Sequence, residues 1–198
     1  MEKNNNMSNN MPNNTITLSE RVAWALNKPP PIEKKQGVTM KQQLKEYQLK
    51  EKTWGNQMIG QTNNTQWSTK FGEGLVYDIL CLRGENPRKV STINGFRPDW
   101  ETDDYIYEVK NRTWMTNGTA GEKVFGTWIK YQDIPELYGK PLRIVCVAFQ
   151  EYELEHGKIK YFGEGVNPKT QQILDMARSW NIEYIRFSDL VSTVAHQL

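Results

Sequence analysis

The stretch Gly95-Phe96-Arg97-Pro98-Asp99-Trp100-Glu101-Thr102-Asp103-Asp104-Tyr105-Ile106-Tyr107-Glu108-Val109-Lys110 reads as two short strands, 96–100 and 105–110, around the turn residues Glu101 to Asp104. Across a hairpin loop with an even number of residues, Asp99 pairs with Ile106 or with Glu108 itself. Strand side chains alternate with period 2, so Asp99, Glu108 and Lys110 then project from one face. Two carboxylates and an ammonium converge there. A hard cation such as Mg²⁺ takes one or two carboxylates and keeps water or phosphate oxygens, so Asp99 and Glu108 can form a site with an open position. Lys110 would sit beside the bound water, where it could orient a hydroxide and offset charge on a phosphorane-like transition state.

Around this hairpin the patterning is regular. Phe71, Leu75, Ile79 and Leu82 recur at helical spacing, and Gly84 stops that helix. A short strand is expected at 89–93 before the turn Asn94-Gly95, and a helix at 119–131 after the hairpin. Leu142 to Phe149 reads as a strand buried on both faces. Residues 151–162 read as a hairpin turning at His156-Gly157. Pro168 opens a helix with Ile173, Met176, Ala177 and Trp180 on one side, Ile182 to Phe187 forms a last strand, and Ser188 caps a terminal helix. The order from residue 69 is α-β-β-β-α-β, a hairpin, then α-β-α. That predicts an α/β (α+β) fold, a mixed sheet flanked by helices.

Before the core lies a different kind of sequence. Residues 4–14 hold seven Asn and show no periodicity, so 1–16 is expected to be a disordered tail. Thr17 and Glu20 make a capping box for a helix through Leu26, ended by Pro29-Pro30-Pro31. A second helix fits 39–52, with Met40, Leu44, Tyr47 and Glu51 on one stripe. Residues 53–68 are amide-rich and read as a loop between Trp54 and Trp67. The divisions are therefore the tail, a helical and loop extension at 17–67, and a core at 68–198.

Composition narrows the class. At 198 residues with seven Trp and nine Tyr, the chain can bury one substantial core. The apolar run Ile144 to Phe149 is far short of the roughly 20 residues of a membrane span, and no apolar segment follows the N-terminal lysine, so neither membrane insertion nor secretion is expected. Cys81 and Cys146 lie in apolar runs and read as reduced core thiols, which suits the cytoplasm. The net charge of +2 conceals an asymmetry. Residues 1–60 carry nine basic groups against five acidic, and 61–198 carry sixteen against eighteen. The excess lies mostly in 28–52, a segment that could meet phosphates or simply stay solvated.

Pro98-Asp99 and Glu108-Val109-Lys110, on a second and third strand after a helix, resemble the active site of the PD-(D/E)XK nuclease superfamily, to which many Type II restriction endonucleases belong. The similarity covers about 68–150 and implies a restriction-endonuclease-like core, with the first 67 residues as an extension. It implies that Asp99, Glu108 and Lys110 are catalytic, with Glu73 of the preceding helix as a further acid, and that Asp99, Glu108 and Val109 hold Mg²⁺. The run Gly118-Thr119-Ala120-Gly121-Glu122-Lys123 is also similar to a stretch of some restriction endonucleases. The partners implied are double-stranded DNA, a second copy of the chain in a homodimer, and a cognate DNA methyltransferase in the same system. Candidate phosphate contacts are Lys34, Lys35, Lys41 and Lys45, with Lys123 and Lys130 seven apart on the 119–131 helix. Candidate base contacts are Asn63, Asn64 and Gln66 for adenine, and Arg97 and Arg112 for guanine. Thr113 and Trp114 follow the catalytic strand and could reach the duplex, though Trp114 as core filler fits equally well.

Other chemistries fit less well. A histidine-based nuclease or a serine or cysteine hydrolase needs a placed histidine, and the two available are His156 and His196, far from the hairpin. Two cysteines 65 residues apart match no zinc spacing, and no phosphate-binding glycine loop is present. A structure-specific repair or recombination nuclease, and a noncatalytic DNA-binding module with a structural hairpin, remain as alternatives.

Overall fold

The computed structural model of the protein describes residues 16–27, 33, 35–115 and 122–198. The Asn-rich tail, apart from Ile16, and the run 118–121 therefore lie outside the described residues. Helix α1 (Leu18–Leu26) starts as expected, with Thr17 and Glu20 exchanging both capping-box hydrogen bonds. Helix α2 runs Met40–Met58, six residues beyond its expected end, and α3 spans Trp67–Leu82. The amide-rich residues up to Met58 thus belong to a helix. Gly55 is what lets that helix lie against α3, because a Cβ there would stand 2.0 Å from the Trp67 ring. Gly84, at φ +76°, ends α3.

One mixed four-stranded sheet follows in the order β1 (Trp100–Glu101), β2 (Ile106–Arg112), β3 (Leu142–Ala148), β4 (Ile182–Arg186). β1 is antiparallel to β2, and β2, β3 and β4 are mutually parallel. The strand expected at 89–93 does not form, and 96–100 is strand only at Trp100. Isolated bridges, Arg88 with Glu101 and Ile93 with Phe96, hold this arm instead. Pro98 has no N–H for a ladder, and Asn94 and Gly95 turn the chain at positive φ, so continuous pairing is interrupted on both sides.

The β2-to-β3 connection also departs from expectation. Instead of one helix over 119–131 there is a 3₁₀ turn at Glu122–Val124, a single turn α4 (Thr127–Lys130) and a short α5 (Ile134–Tyr138). Gly126 separates the first two. Residues 151–162 are no hairpin: the chain turns at Ala148, φ +54°, straight into α6 (Phe149–His156). The stacked Tyr152–His156 pair, four residues apart, supports that helix along one side. Helix α7 (Pro168–Ser179) begins at Pro168 with Asn167 as its cap, but Leu174 and Ala177 face the core while Ile173, Met176 and Trp180 stay exposed. Helix α8 (Phe187–Ser192) starts before Ser188, whose N–H and hydroxyl both donate to Glu151 rather than capping. Cys146 is buried as expected; Cys81 is exposed, and both are free thiols.

The sheet has a core on each face. Tyr107 and Val109 of β2 join α3, α8 and α1, so Val22, Ala25 and Trp67 of the N-terminal extension share the core of Phe71, Leu75 and Ile79. Ile106, Ile144, Cys146 and Ile182 face the other way, toward Tyr131, Ile134 and Leu174. Each of the buried Val, Leu, Ile and Phe side chains among them contributes about 1.5–3 kcal/mol. Among the described residues no helix is long and apolar enough to cross a membrane.

Candidate active site

β2 carries the site because it is the strand between an almost absent neighbour and a full one. On the β3 side its ladder runs from Ile106–Leu142 to Arg112–Ala148. On the other side pairing covers only Trp100–Tyr107 and Glu101–Ile106. The register does not continue to Asp99: its N–H donates to Tyr107 O at 3.0 Å, so it pairs with neither Ile106 nor Glu108, the two partners open in the sequence. Beyond it Arg97-Pro98 peels away, and the Asp99 side chain takes over from the missing ladder: Val109 N–H donates to Asp99 Oδ2 at 2.7 Å. The Val109 carbonyl lies on the same edge of β2 as that N–H, beside Asp99.

The alternation that sends Tyr107 and Val109 into one core turns Ile106, Glu108 and Lys110 toward the other face. Glu108 is buried, 5 % exposed, and Lys110 Nζ donates to its Oε1. Burial, then the charge of Glu108, raise the Asp99 carboxyl from 3.8 to about 7; Glu73 adds to the rise, and the Val109 N–H and Lys110 oppose it. Asp99, Glu108, Lys110 and Glu73 are thus near neighbours in space. Asp99 itself forms no ion pair among the described residues.

Glu73 is placed by the close approach of α3 to β2. A Cβ at Gly72 would stand 2.5 Å from that of Asn111, whose amide donates to Ser68 O. Trp100 Nε1 then reaches Glu73 O at 2.9 Å. The Glu73 carboxylate is not free: Lys89 Nζ lies 3.3 Å from it and 3.7 Å from the centre of the Trp100 ring. Neither Lys89 nor Trp100 was marked by the sequence, since each acts through a contact distant along the chain.

The fit of a divalent cation can be judged from these donors. Asp99 Oδ2 is engaged, its Oδ1 accepts nothing from the described residues, and Glu108 shares its charge with one ammonium. A half-buried carboxyl raised to about 7 by desolvation and then by a neighbouring carboxylate is short of positive charge, and two carboxylates with a peptide carbonyl are oxygen donors suited to Mg²⁺. Among the described residues no group of three or more His, Cys, Asp and Glu side chains forms a ready-made metal cage. The residues therefore fit a cation held by two carboxylates and a carbonyl.

The other sequence candidates divide. Lys34 lies outside the described residues. Lys41 and Lys45 are exposed on α2, whereas Lys35 pairs with Glu46 at 3.2 Å. Asn64 is scaffold, its Oδ1 accepting Gln66 N–H and its own N–H donating to Asn56 Oδ1, and Asn63 accepts from Lys52. Gln66 and Arg97 are exposed. Arg112 does not point outward: it pairs with Glu153 and stacks 4.7 Å from the Phe149 ring centre. Lys123 and Lys130 share no helix face, because α4 begins only at Thr127. Trp114 is core, 8 % exposed, with its indole donating to Trp24 O. The chain leaving β2 is clamped from α2, where Glu51 accepts the N–H groups of Trp114 and Met115, and Gln48 donates to Met115 O.

Lys130 does reach the site by another route. Its ammonium donates to the Tyr131 hydroxyl at 3.1 Å, and burial, then the charge of Glu108, raise that phenol so that it stays protonated. No family model, curated protein or solved structure matches the chain.

Proposed function

We propose that the protein is a metal-dependent phosphodiesterase acting on DNA, with Asp99, Glu108 and the Val109 carbonyl as the cation's ligands and Lys110 as the charged catalytic group. More narrowly, it is read as a Type II restriction endonuclease of the PD-(D/E)XK superfamily, cutting both strands of a short site as a homodimer alongside a cognate methyltransferase. The observation that carries the reading is Asp99: half-buried beside Glu108, pushed to about 7, and tied through Val109 N–H to the strand that bears Glu108 and Lys110. The mixed sheet, with Asp99 just before β1 and Glu108 and Lys110 on β2 behind helix α3, supports the narrower class.

Bound Mg²⁺ would supply Lewis acidity and lower the pKa of a coordinated water. The chain's own residues do the rest. The Val109 N–H fixes Asp99, so its free Oδ1 has one orientation. Lys110, held against Glu108, presents its ammonium where a water attacks phosphorus in line, and offsets charge as the P–O bond to the leaving oxygen breaks. Buried walls keep the local dielectric low, which strengthens both effects.

Supercoiled plasmid incubated with purified protein and Mg²⁺ tests this. Discrete linear fragments support the restriction reading, and cutting confined to junctions or lesions supports a repair nuclease. DNA binding without metal-dependent cutting by the wild type would leave only a binding module.

A further inference from the structure

Helix α7 carries an apolar stripe that the two cores do not use. Ile173 and Met176 are three residues apart and Trp180, at the C-cap, is four further on, so all three share one side of the helix, while Leu174 and Ala177 take the side turned to the core. Ile173 is 42 % exposed, Met176 49 % and Trp180 41 %, and the Trp180 ring is held by that of Trp128 at 5.4 Å. Lys169, seven residues before Met176, continues the stripe at its start and is exposed. Past the other end a cavity of about 340 Å³ opens between Ser179, Trp180 and Asn181 and the α5 side, where Asp133 and Glu136 are exposed. Lys169, Asp133 and Glu136 form no ion pair among the described residues.

We infer that this stripe is the contact between two copies of the chain, with α7 packed antiparallel on α7 about a two-fold axis at Met176. The inference deepens the homodimer of the proposed function and rests on that reading for its occupant. In this arrangement Met176 meets its own copy. Ile173 of one chain meets Trp180 of the other, since they stand about 4.5 and 6 Å to either side of Met176 along the helix. Lys169 stands about 10 Å before Met176, so it reaches past the copy's Trp180 and lies over the cavity lined by Asp133 and Glu136. An unpaired ammonium then faces two unpaired carboxylates at each end of the contact. The same carboxylates repel a DNA backbone, so the face suits a second copy and not the duplex. The three apolar side chains expose on the order of 300 Å², the size of the largest patch on a typical monomer. That is enough for the apolar centre of a standard interface of about 800 Å² per partner, whose rim is polar.

Sedimentation velocity of the full chain over a concentration series, without DNA or metal, tests it. Wild type should form dimers, and Met176→Glu should raise the dimer dissociation constant by at least about thirtyfold, the loss expected at the centre of an interface. Lys169→Glu should raise it about tenfold, and adding Asp133→Lys and Glu136→Lys to that variant should recover most of the loss. Leu49→Glu, at a side chain 65 % exposed on α2, should change nothing. Every substituted side chain is exposed, so circular dichroism should show the same fold in each variant. Met176→Cys in a Cys81→Ser background should cross-link to its own copy on mild oxidation, since Cys146 is buried. A wild type that stays monomeric, or a dimer that Met176→Glu weakens by less than about threefold, would overturn the contact. Dimers that respond as expected in a protein that fails to cut plasmid would leave the contact standing and remove the nuclease reading alone.

Discussion

Asp99 and Glu51 are both half-buried carboxylates, both raised by burial before any other cause, and both accept backbone N–H groups from the chain running through β2 and out of it. Their surroundings differ in one respect. Glu51 spends both oxygens on protein donors, with Trp114 N–H at 2.8 Å, Met115 N–H at 3.2 Å and the Thr113 side chain as well. Asp99 spends one oxygen on Val109 and meets Glu108 and Glu73 with the rest of its charge. A half-buried carboxylate saturated by donors fastens a chain; one left facing other carboxylates is short of a cation. Burial alone separates neither role.

The comparison predicts opposite consequences for removing each charge. Asp99→Asn, Glu108→Gln and Lys110→Met should each lower DNA cleavage by on the order of 10³-fold, as loss of an electrostatic catalytic group does, with circular dichroism unchanged. Glu51→Gln should keep cleavage within about tenfold, since the amide oxygen can still accept one of the two N–H groups. A Glu51→Gln enzyme as dead as Asp99→Asn would break the distinction.

Stability should move the other way. An unfolded Asp titrates near 3.8 and folded Asp99 near 7, so the folded chain holds this proton more tightly. The stabilisation from Asp99 is thus full below the unfolded value and is lost as pH rises through the folded one. Asp99→Asn cannot ionise, so in metal-free buffer at pH 8 it should be more stable than wild type by on the order of 2 kcal/mol, with the gap closing toward pH 4. Glu51→Ala leaves two N–H groups of buried residues without acceptors and should cost about 2 kcal/mol at low pH, with the cost shrinking as pH rises because burial raises the Glu51 carboxyl as well. Chemical denaturation across that range, with and without Mg²⁺, measures both.

Much of the site could be read in the sequence, because its carriers obey a period of two. Glu108 and Lys110 share a face by alternation, and the turn at Glu101 to Asp104 brings Asp99 beside them. The arm before it could not be read so well: Val90 and Ile93 have the composition of a strand, but Pro98 and the Asn94-Gly95 turn deny it a ladder. Residues 151–162 misled for a related reason. Tyr152 and Leu154 alternate with polar residues as a strand would, yet the positive-φ turn at Ala148 and stacking of Tyr152 on His156 set a helix there. Glu51 and Lys89 were legible only as ordinary residues, since what singles them out is a partner far away in the chain or across the fold.

The same contrast between committed and uncommitted charge sorts the basic residues, with smaller effects. Lys35 is engaged with Glu46, which Lys50 also holds at 2.9 Å, whereas Lys41 and Lys45 stand exposed on α2 with no ion pair among the described residues. A lysine already paired to a carboxylate must give up that contact to meet phosphate, and it releases fewer counterions from DNA when it does. Replacing Lys41 and Lys45 with Ala should therefore lower the slope of log binding constant against log salt by up to about one per contacted phosphate, equally on all DNA sequences. Lys35→Ala should change it by less. Arg112→Ala should leave the slope alone and cost stability instead, because that guanidinium is paired with Glu153 and packed on Phe149 inside the fold. Filter binding at several salt concentrations reads all three, and an unchanged slope in the Lys41 and Lys45 double variant would turn α2 away from DNA and leave its clamp on Trp114 and Met115 as its role.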